Sequence, residues 1–217
     1  MSKDNTILSC AKHFIAYGAA QAGRDYHTVD ISERELRDTY LPPFKAAIDA
    51  GAATVMSAFN EYDGVPCTAN SFLMRDLLRK EMGFKGFVVS DYTAVKELIA
   101  HGVADNDEEA ASLGMNAGVN MCMVDNLYLF HGEKLVKEGV VREETVNELC
   151  AEILTMKYKL GLFDDPYRYG SEEKEKSTIF NESNLLAAKE LAKKSMVLLQ
   201  NNNNVLPVKE GKKIALI

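Results

Sequence analysis

The sequence predicts an α/β fold of repeated strand-helix units of the β/α-barrel kind, on three observations. Gly51, Gly83 and Gly118 each close a helical stretch just before an apolar run, at roughly thirty-residue intervals, about one strand-helix unit of a ~250-residue eightfold barrel. The run from Gly83 to Tyr92 is apolar, rich in β-branched and aromatic residues and too short for a helix; it reads as a strand buried on both faces and ending on a carboxylate, Asp91. Ser32 and Glu35 form a capping box with Ile31 and Leu36 placed to staple it, so a helix starts at Glu33. About four units fit before Gly161, where a closed barrel takes eight, so the expectation is a truncated half-barrel.

The elements follow in order. Ile7 to Phe14 reads as a strand ending in Lys12 and His13, followed by a loop through Gly18 and Gly23 that carries Arg24, Asp25, Tyr26 and His27. Pro42 and Pro43 kink or restart the first helix, which stops at Gly51. Thr54 to Phe59 is the next strand, Asn60 to Pro66 is dense in turn formers, and Asn70 or Ser71 caps a helix bearing Leu73, Leu77 and Leu78. After the central strand come a short helix marked by Val95, Leu98 and Ile99 and ending at Gly102, a second opened by Asp107 and stopped by Gly118, and a strand from Val119 to Val124. Leu127 to Lys137 and Glu143 to Leu160 are helical by period, with Leu149, Ile153, Met156 and Leu160 as one core stripe. From Asp164 to Ser177 the pattern breaks into an exposed linker. Beyond it lie an amphipathic helix over Glu182 to Gln200, an asparagine turn at Asn201 to Asn204, and the start of a buried strand at Lys213 to Ile217.

Composition excludes several classes. The chain has 217 residues, 47% hydrophobic and 26% charged, with a formal net charge of -7 and no lysine-arginine run to offset it, which argues against nucleic-acid and anionic-membrane partners. No apolar stretch reaches the ~20 residues of a membrane span, and the first residues lack the apolar segment of a signal peptide, so the expectation is a cytoplasmic protein. Cys10, Cys67, Cys122 and Cys150 lie far apart; buried free thiols are expected, with no disulfide framework, metal site or cofactor.

Taken alone, Asp91 favours a bland role as cap of the following helix, with Ser90 and Thr93 as equal candidates. At the C-terminal end of a barrel strand the same residue stands where such enzymes place catalytic groups. The pieces around it decide between the two. Ala11 to Phe14, Gly23 to Tyr26, Leu41 to Ala46, Val55-Met56, Asn60 with Gly64 to Pro66, Gly83 to Tyr92, Lys157 to Tyr167 and Ser195 to Asn201, in this order, resemble the β-glucosidase branch of glycoside hydrolase family 3. The resemblance covers nearly the whole chain. It implies that residues 1–163 are the C-terminal half of the family's (β/α)8 TIM-type barrel, 164–181 a linker and 182–217 the first helix and strand of an incomplete second domain, an α/β sandwich.

The resemblance further implies that Asp91 is the nucleophile of a retaining glycosidase acting on a terminal β-linked sugar, a β-glucoside or related oligosaccharide. Its acid/base partner, which retention places about 5–5.5 Å away, comes in this branch from the second domain beyond Ile217. Lys12 and His13 match the family's Lys-His pair that donates hydrogen bonds to sugar hydroxyls; the bland alternative is a solvated strand end. Met56 and Phe59 line the same subsite by resemblance, with plain core packing as the alternative for Met56. Tyr92 stands where many relatives carry tryptophan or histidine, which suggests a stacking contact. Arg24 and Asp25 read as an ion pair fixing their loop. Two other readings remain. An N-acetylglucosaminidase of the same family would use His27, paired with Asp25, as general acid, although the Ile15 to Gly18 stretch departs from that branch. A non-catalytic half-barrel remnant would self-associate through its exposed strand edges.

Overall fold

A computed structural model describes residues 7–215. The chain divides into two units, Met1–Pro166 and Tyr167–Ile217.

In the first unit, strand β1 (Cys10–Phe14) is followed by two single-turn 3₁₀ segments, and the helix predicted at Glu33 begins there as α1 (Glu33–Glu35), with Ser32 Oγ accepting from the Glu35 amide at 3.1 Å. The two prolines do restart the helix. A π-type segment over Leu36–Tyr40 gives way to α2 (Leu41–Asp49), whose first turn holds the prolines where their missing N–H groups cost nothing. Strand β2 spans Thr54–Ser57, two residues shorter than expected, because Phe59 and Asn60 lead into a two-stranded ribbon, β3 (Glu61–Tyr62) and β4 (Val65–Pro66). Asn70 rather than Ser71 caps the helix Phe72–Glu81, accepting from the Leu73 amide at 3.1 Å. Strand β5 (Phe87–Tyr92) buries Val88 and Ser90 completely on one face and half-buries Phe87 and Val89 on the other.

The predicted helix after β5 is a single 3₁₀ turn, Lys96–Leu98. Helix α3 (Asp107–Ala117) is capped one residue earlier than its acidic start suggested, by Asn106 Oδ1 on the Glu109 amide, and ends where Gly118 takes φ +102°. Strand β6 (Met121–Met123), α4 (Leu127–Lys137) and α5 (Glu143–Lys159) complete the unit; Leu149 and Met156 of the predicted stripe are buried, Ile153 and Leu160 half-buried.

The four longer strands form one sheet in the order β1-β2-β5-β6, all parallel, with helices between successive strands. This is an α/β fold with a parallel sheet. Phe14, Val55, Leu73, Leu77, Leu78 and Val88 anchor one core cluster, and Val95, Leu98, Ala110, Ala111, Leu135 and Leu149 a second. Gly86 sets how closely β5 approaches its neighbour, since a Cβ there would lie 1.9 Å from the Ala53 carbonyl oxygen. The expectation of four buried thiols is corrected. All four cysteines are free, but only Cys67 is buried, its thiol pushed up to about 12 by that burial; Cys10 and Cys150 are exposed. No described helix is long and apolar enough to cross a membrane.

In the second unit the stretch read as an exposed linker holds a short, fully exposed helix, α6 (Glu172–Thr178), because Ser171 caps it by accepting from the Lys174 amide. Helix α7 (Glu182–Ser195) stops five residues early: the run Met196 to Leu199 has no polar face to continue an amphipathic helix, and Met196 is extended. Asn201 to Asn204 is a turn, closed by the Asn201 side chain on both backbone groups of Leu206. Residues 213–215 form no strand, having no partner strand among the described residues; the rest of that predicted strand, 216–217, lies outside them.

Candidate active site

The parallel order brings the C-terminal ends of β1, β2 and β5 to one edge of the sheet. Asp91, the penultimate residue of β5, is 7% exposed there. Its Oδ1 accepts from the Tyr92 amide at 2.7 Å. Its Oδ2 faces His13 Nε2 at 3.3 Å; the angle is not that of a hydrogen bond, so this oxygen is buried with no donor among the described residues. The capping alternative does not describe the structure. The turn after β5 is held by the Asp91 carbonyl, which accepts from the Ala94 amide, and not by the Asp91 side chain. Ser90 is taken up elsewhere, its hydroxyl donating to the Asp91 carbonyl and accepting from the Met123 amide of β6.

His13 is the penultimate residue of β1 and is half-buried. Burial, and then the neighbouring Lys12 ammonium, lower its pKa below 6.5, against the opposite pull of Asp91 and Asp25. The imidazole is therefore mainly neutral at pH 7, able to donate one N–H rather than two. Lys12 is exposed beside it. Met56, in β2, is 8% exposed and in register with Val89 of β5. Phe59 is half-buried, and Tyr92 is 55% exposed.

An aromatic chain joins these positions. The His13 ring lies 5.3 Å from Tyr17, Tyr17 lies 6.2 Å from Phe59, and Phe59 packs at 4.4 Å on Tyr26. Tyr17 and Tyr26 carried no distinct sequence signal for this, because the loop that bears them has no periodic pattern to orient a side chain. The ion pair read between Arg24 and Asp25 is corrected: Asp25 instead accepts from the Tyr17 hydroxyl and the Tyr26 amide, donors that lie closer along the folded loop. His27 is exposed; its backbone amide donates to the Arg24 carbonyl, and its side chain makes no hydrogen bond or ion pair among the described residues.

A buried carboxylate at a parallel strand end, beside a neutral histidine and an aromatic wall, is an arrangement suited to nucleophilic chemistry. Comparison with known proteins gives the class. The model of the glycosyl hydrolase family 3 N terminal domain matches residues 2–156, and the chain belongs to that family. It is 42% identical to the periplasmic β-glucosidase of Salmonella typhimurium over 98% of this chain and 28% of that protein, and 40% identical to a β-xylosidase of Formosa agariphila over 96% of this chain and 30% of that one. The crystal structure of the Listeria innocua β-glucosidase in complex with glucose superposes with a TM-score of 0.82 at 44% identity, covering 93% of this chain and 28% of that one. The chain thus spans under a third of the length of the relatives it matches.

Proposed function

We propose that this chain carries the nucleophile and part of the sugar subsite of a retaining β-glycosidase of the β-glucosidase kind, with Asp91 forming a covalent glycosyl-aspartate. The observation that carries the reading is the Asp91 carboxylate itself: buried, oriented by the Tyr92 amide through Oδ1, and with Oδ2 free of donors. A nucleophile needs one oxygen unencumbered and the other held. His13 and Lys12 donate to hydroxyls of the bound sugar, Phe59 and Met56 wall the subsite, and the exposed ring of Tyr92 meets the leaving group. The names of relatives that act on glucosides and xylosides support a terminal β-linked sugar as substrate.

The four parallel strands are, in this reading, the C-terminal half of a (β/α)8 barrel, with 164–181 as linker and 182–217 opening a second α/β domain. The acid/base carboxyl comes from that second domain, so the 217 residues alone lack glycosidase activity. The test is trapping. A 2-fluoro glycoside, applied to a chimera with residues 2–156 in place of the matching segment of the Listeria enzyme, should label Asp91, read by peptide mass mapping. A label on another carboxylate would refute the assignment.

A further inference from the structure

Immediately beyond Asp91 the backbone makes a turn that ordinary residues avoid. Thr93 sits at φ +55°, a left-handed conformation rarely adopted by a β-branched side chain, so something must hold it. Its amide donates to the Met123 carbonyl of β6 at 2.9 Å, and the Glu97 amide donates back to its carbonyl at 3.0 Å. Its hydroxyl lies 2.7 Å from the Tyr92 carbonyl and 3.1 Å from Glu97 Oε1. Glu97 is half-buried, makes no ion pair among the described residues, and buries Oε2 without any hydrogen-bond partner. A carboxylate in that position is unfavourable for folding alone. After burial, Glu97 is also the largest influence raising the pKa of Tyr26, so its charge acts on the aromatic wall as well as on the turn.

We propose that Glu97 is a positioning residue for Asp91: by holding the Thr93 hydroxyl it locks the left-handed turn that fixes the end of β5 and, with it, the orientation of the attacking carboxylate. The inference rests on the reading of Asp91 as nucleophile. Removing the carboxylate lets Thr93 relax toward an ordinary φ, and the displaced strand end carries Asp91 out of line. Misplacement of about an ångström lowers the chemical step about 10- to 100-fold without touching binding.

In the chimera described above, Glu97→Ala should slow inactivation by the 2-fluoro glycoside by about that factor, while glucose affinity and melting temperature hold. Glu97→Gln, which keeps an acceptor oxygen, should restore most of the rate. Thr93→Val should cost as much as Glu97→Ala, and the double variant no more than either, since both remove one interaction. Additive losses, or a loss confined to affinity, would overturn the proposal. Failure of the underlying reading looks different, because Asp91→Ala would then still be labelled. Amide exchange on the 217-residue chain gives an answer independent of activity: Glu97→Ala should speed exchange at Thr93 and Ala94 about tenfold or more, and unchanged protection at both would also overturn it.

Discussion

Replacing Glu152 by alanine should destabilise the chain more than any single change at the catalytic edge, and the reason lies at the opposite ends of the strands. Arg79, its side chain 12% exposed, donates to Glu152 Oε1 at 2.6 Å, the Gly86 carbonyl at 3.1 Å and Asn120 Oδ1 at 2.9 Å. Asn120 accepts from the Val88 amide at 2.7 Å and donates to Glu152 Oε2 and to the Leu149 carbonyl, so one network ties the start of β5 to the start of β6 and to α5. Burial lowers the pKa of Arg79 and raises that of Glu152, the sign of a pair whose desolvation outweighs its attraction. Glu152→Ala strands the guanidinium, which costs about 3–5 kcal/mol, whereas Arg79→Met with Glu152→Met together should lie within about 1–2 kcal/mol of the parent. Urea unfolding followed by circular dichroism, run as a double-mutant cycle, measures this. Because a raised carboxyl pKa means the folded state holds its proton longer, parent stability relative to Glu152→Gln should fall as pH rises from 4.5 through the raised folded pKa and level off above it. Single variants that cost under 1 kcal/mol, or a double variant as costly as their sum, would refute the reasoning.

Other outcomes follow from the proposed catalytic edge. The His13 imidazole, followed by NMR, should titrate below 6.5; Asp91→Asn should lower its pKa further by removing a favourable charge, and Lys12→Met should raise it. A shift in the opposite direction in either variant would mean that the contacts of His13 are misassigned. In the chimera, alanine at Lys12 or His13 should reduce kcat and not merely raise KM, because hydrogen bonds to ring hydroxyls strengthen as the oxocarbenium-like transition state forms; an unchanged kcat would make their contribution uniform binding. On the proposed reading, in which the general acid, worth about 10²–10⁴-fold, lies outside these residues, the purified 217-residue chain should not hydrolyse nitrophenyl β-glucoside, and activity that vanishes in Asp91→Ala would place the acid within them. It should elute as more than a monomer on size exclusion, since β1 and β6 have no outer partner among the described residues; a clean monomer counts against self-association.

Much of the fold was legible because its signals are local. The capping box at Ser32, Asn70 before its helix, the glycine at 118 and the apolar run closed by Asp91 each constrain only a few neighbouring residues, and the structure keeps all four. What sequence misjudged was decided by partners. Met196 to Leu199 continues a helix on propensity but not on period, and 213–215 has strand composition without a strand to pair with among the described residues. Within the site, Asp91 and His13 were readable as strand-end residues and meet at one edge of the sheet, across β2, which lies between their parallel strands. Tyr17, Tyr26 and Glu97 were not, because each owes its place to an irregular loop or turn, where neither the two-residue nor the 3.6-residue period says which way a side chain points.

The two ends of the sheet divide the work in a way that bears on how this sequence can change. At the strand starts both terminal nitrogens of Arg79, both carboxylate oxygens of Glu152 and the Asn120 amide are hydrogen-bonded within the Arg79 cluster, which gives rigidity. At the strand ends the reverse holds: Asp91 Oδ2 and Glu97 Oε2 are buried without hydrogen-bond partners, and Thr93 is kept in an unfavourable conformation. Groups left unsatisfied cost stability, and a fold tolerates them only where the other end supplies a margin. Substitutions that satisfy the catalytic edge, such as Asp91→Asn or Thr93→Gly, should therefore raise the melting temperature while lowering activity, and substitutions in the Arg79 cluster should lower both together. A stabilised Asp91→Asn would locate the unfavourable energy in the carboxylate, and a destabilised one would mean that the charge on Asp91 is held by more than the Tyr92 amide and His13.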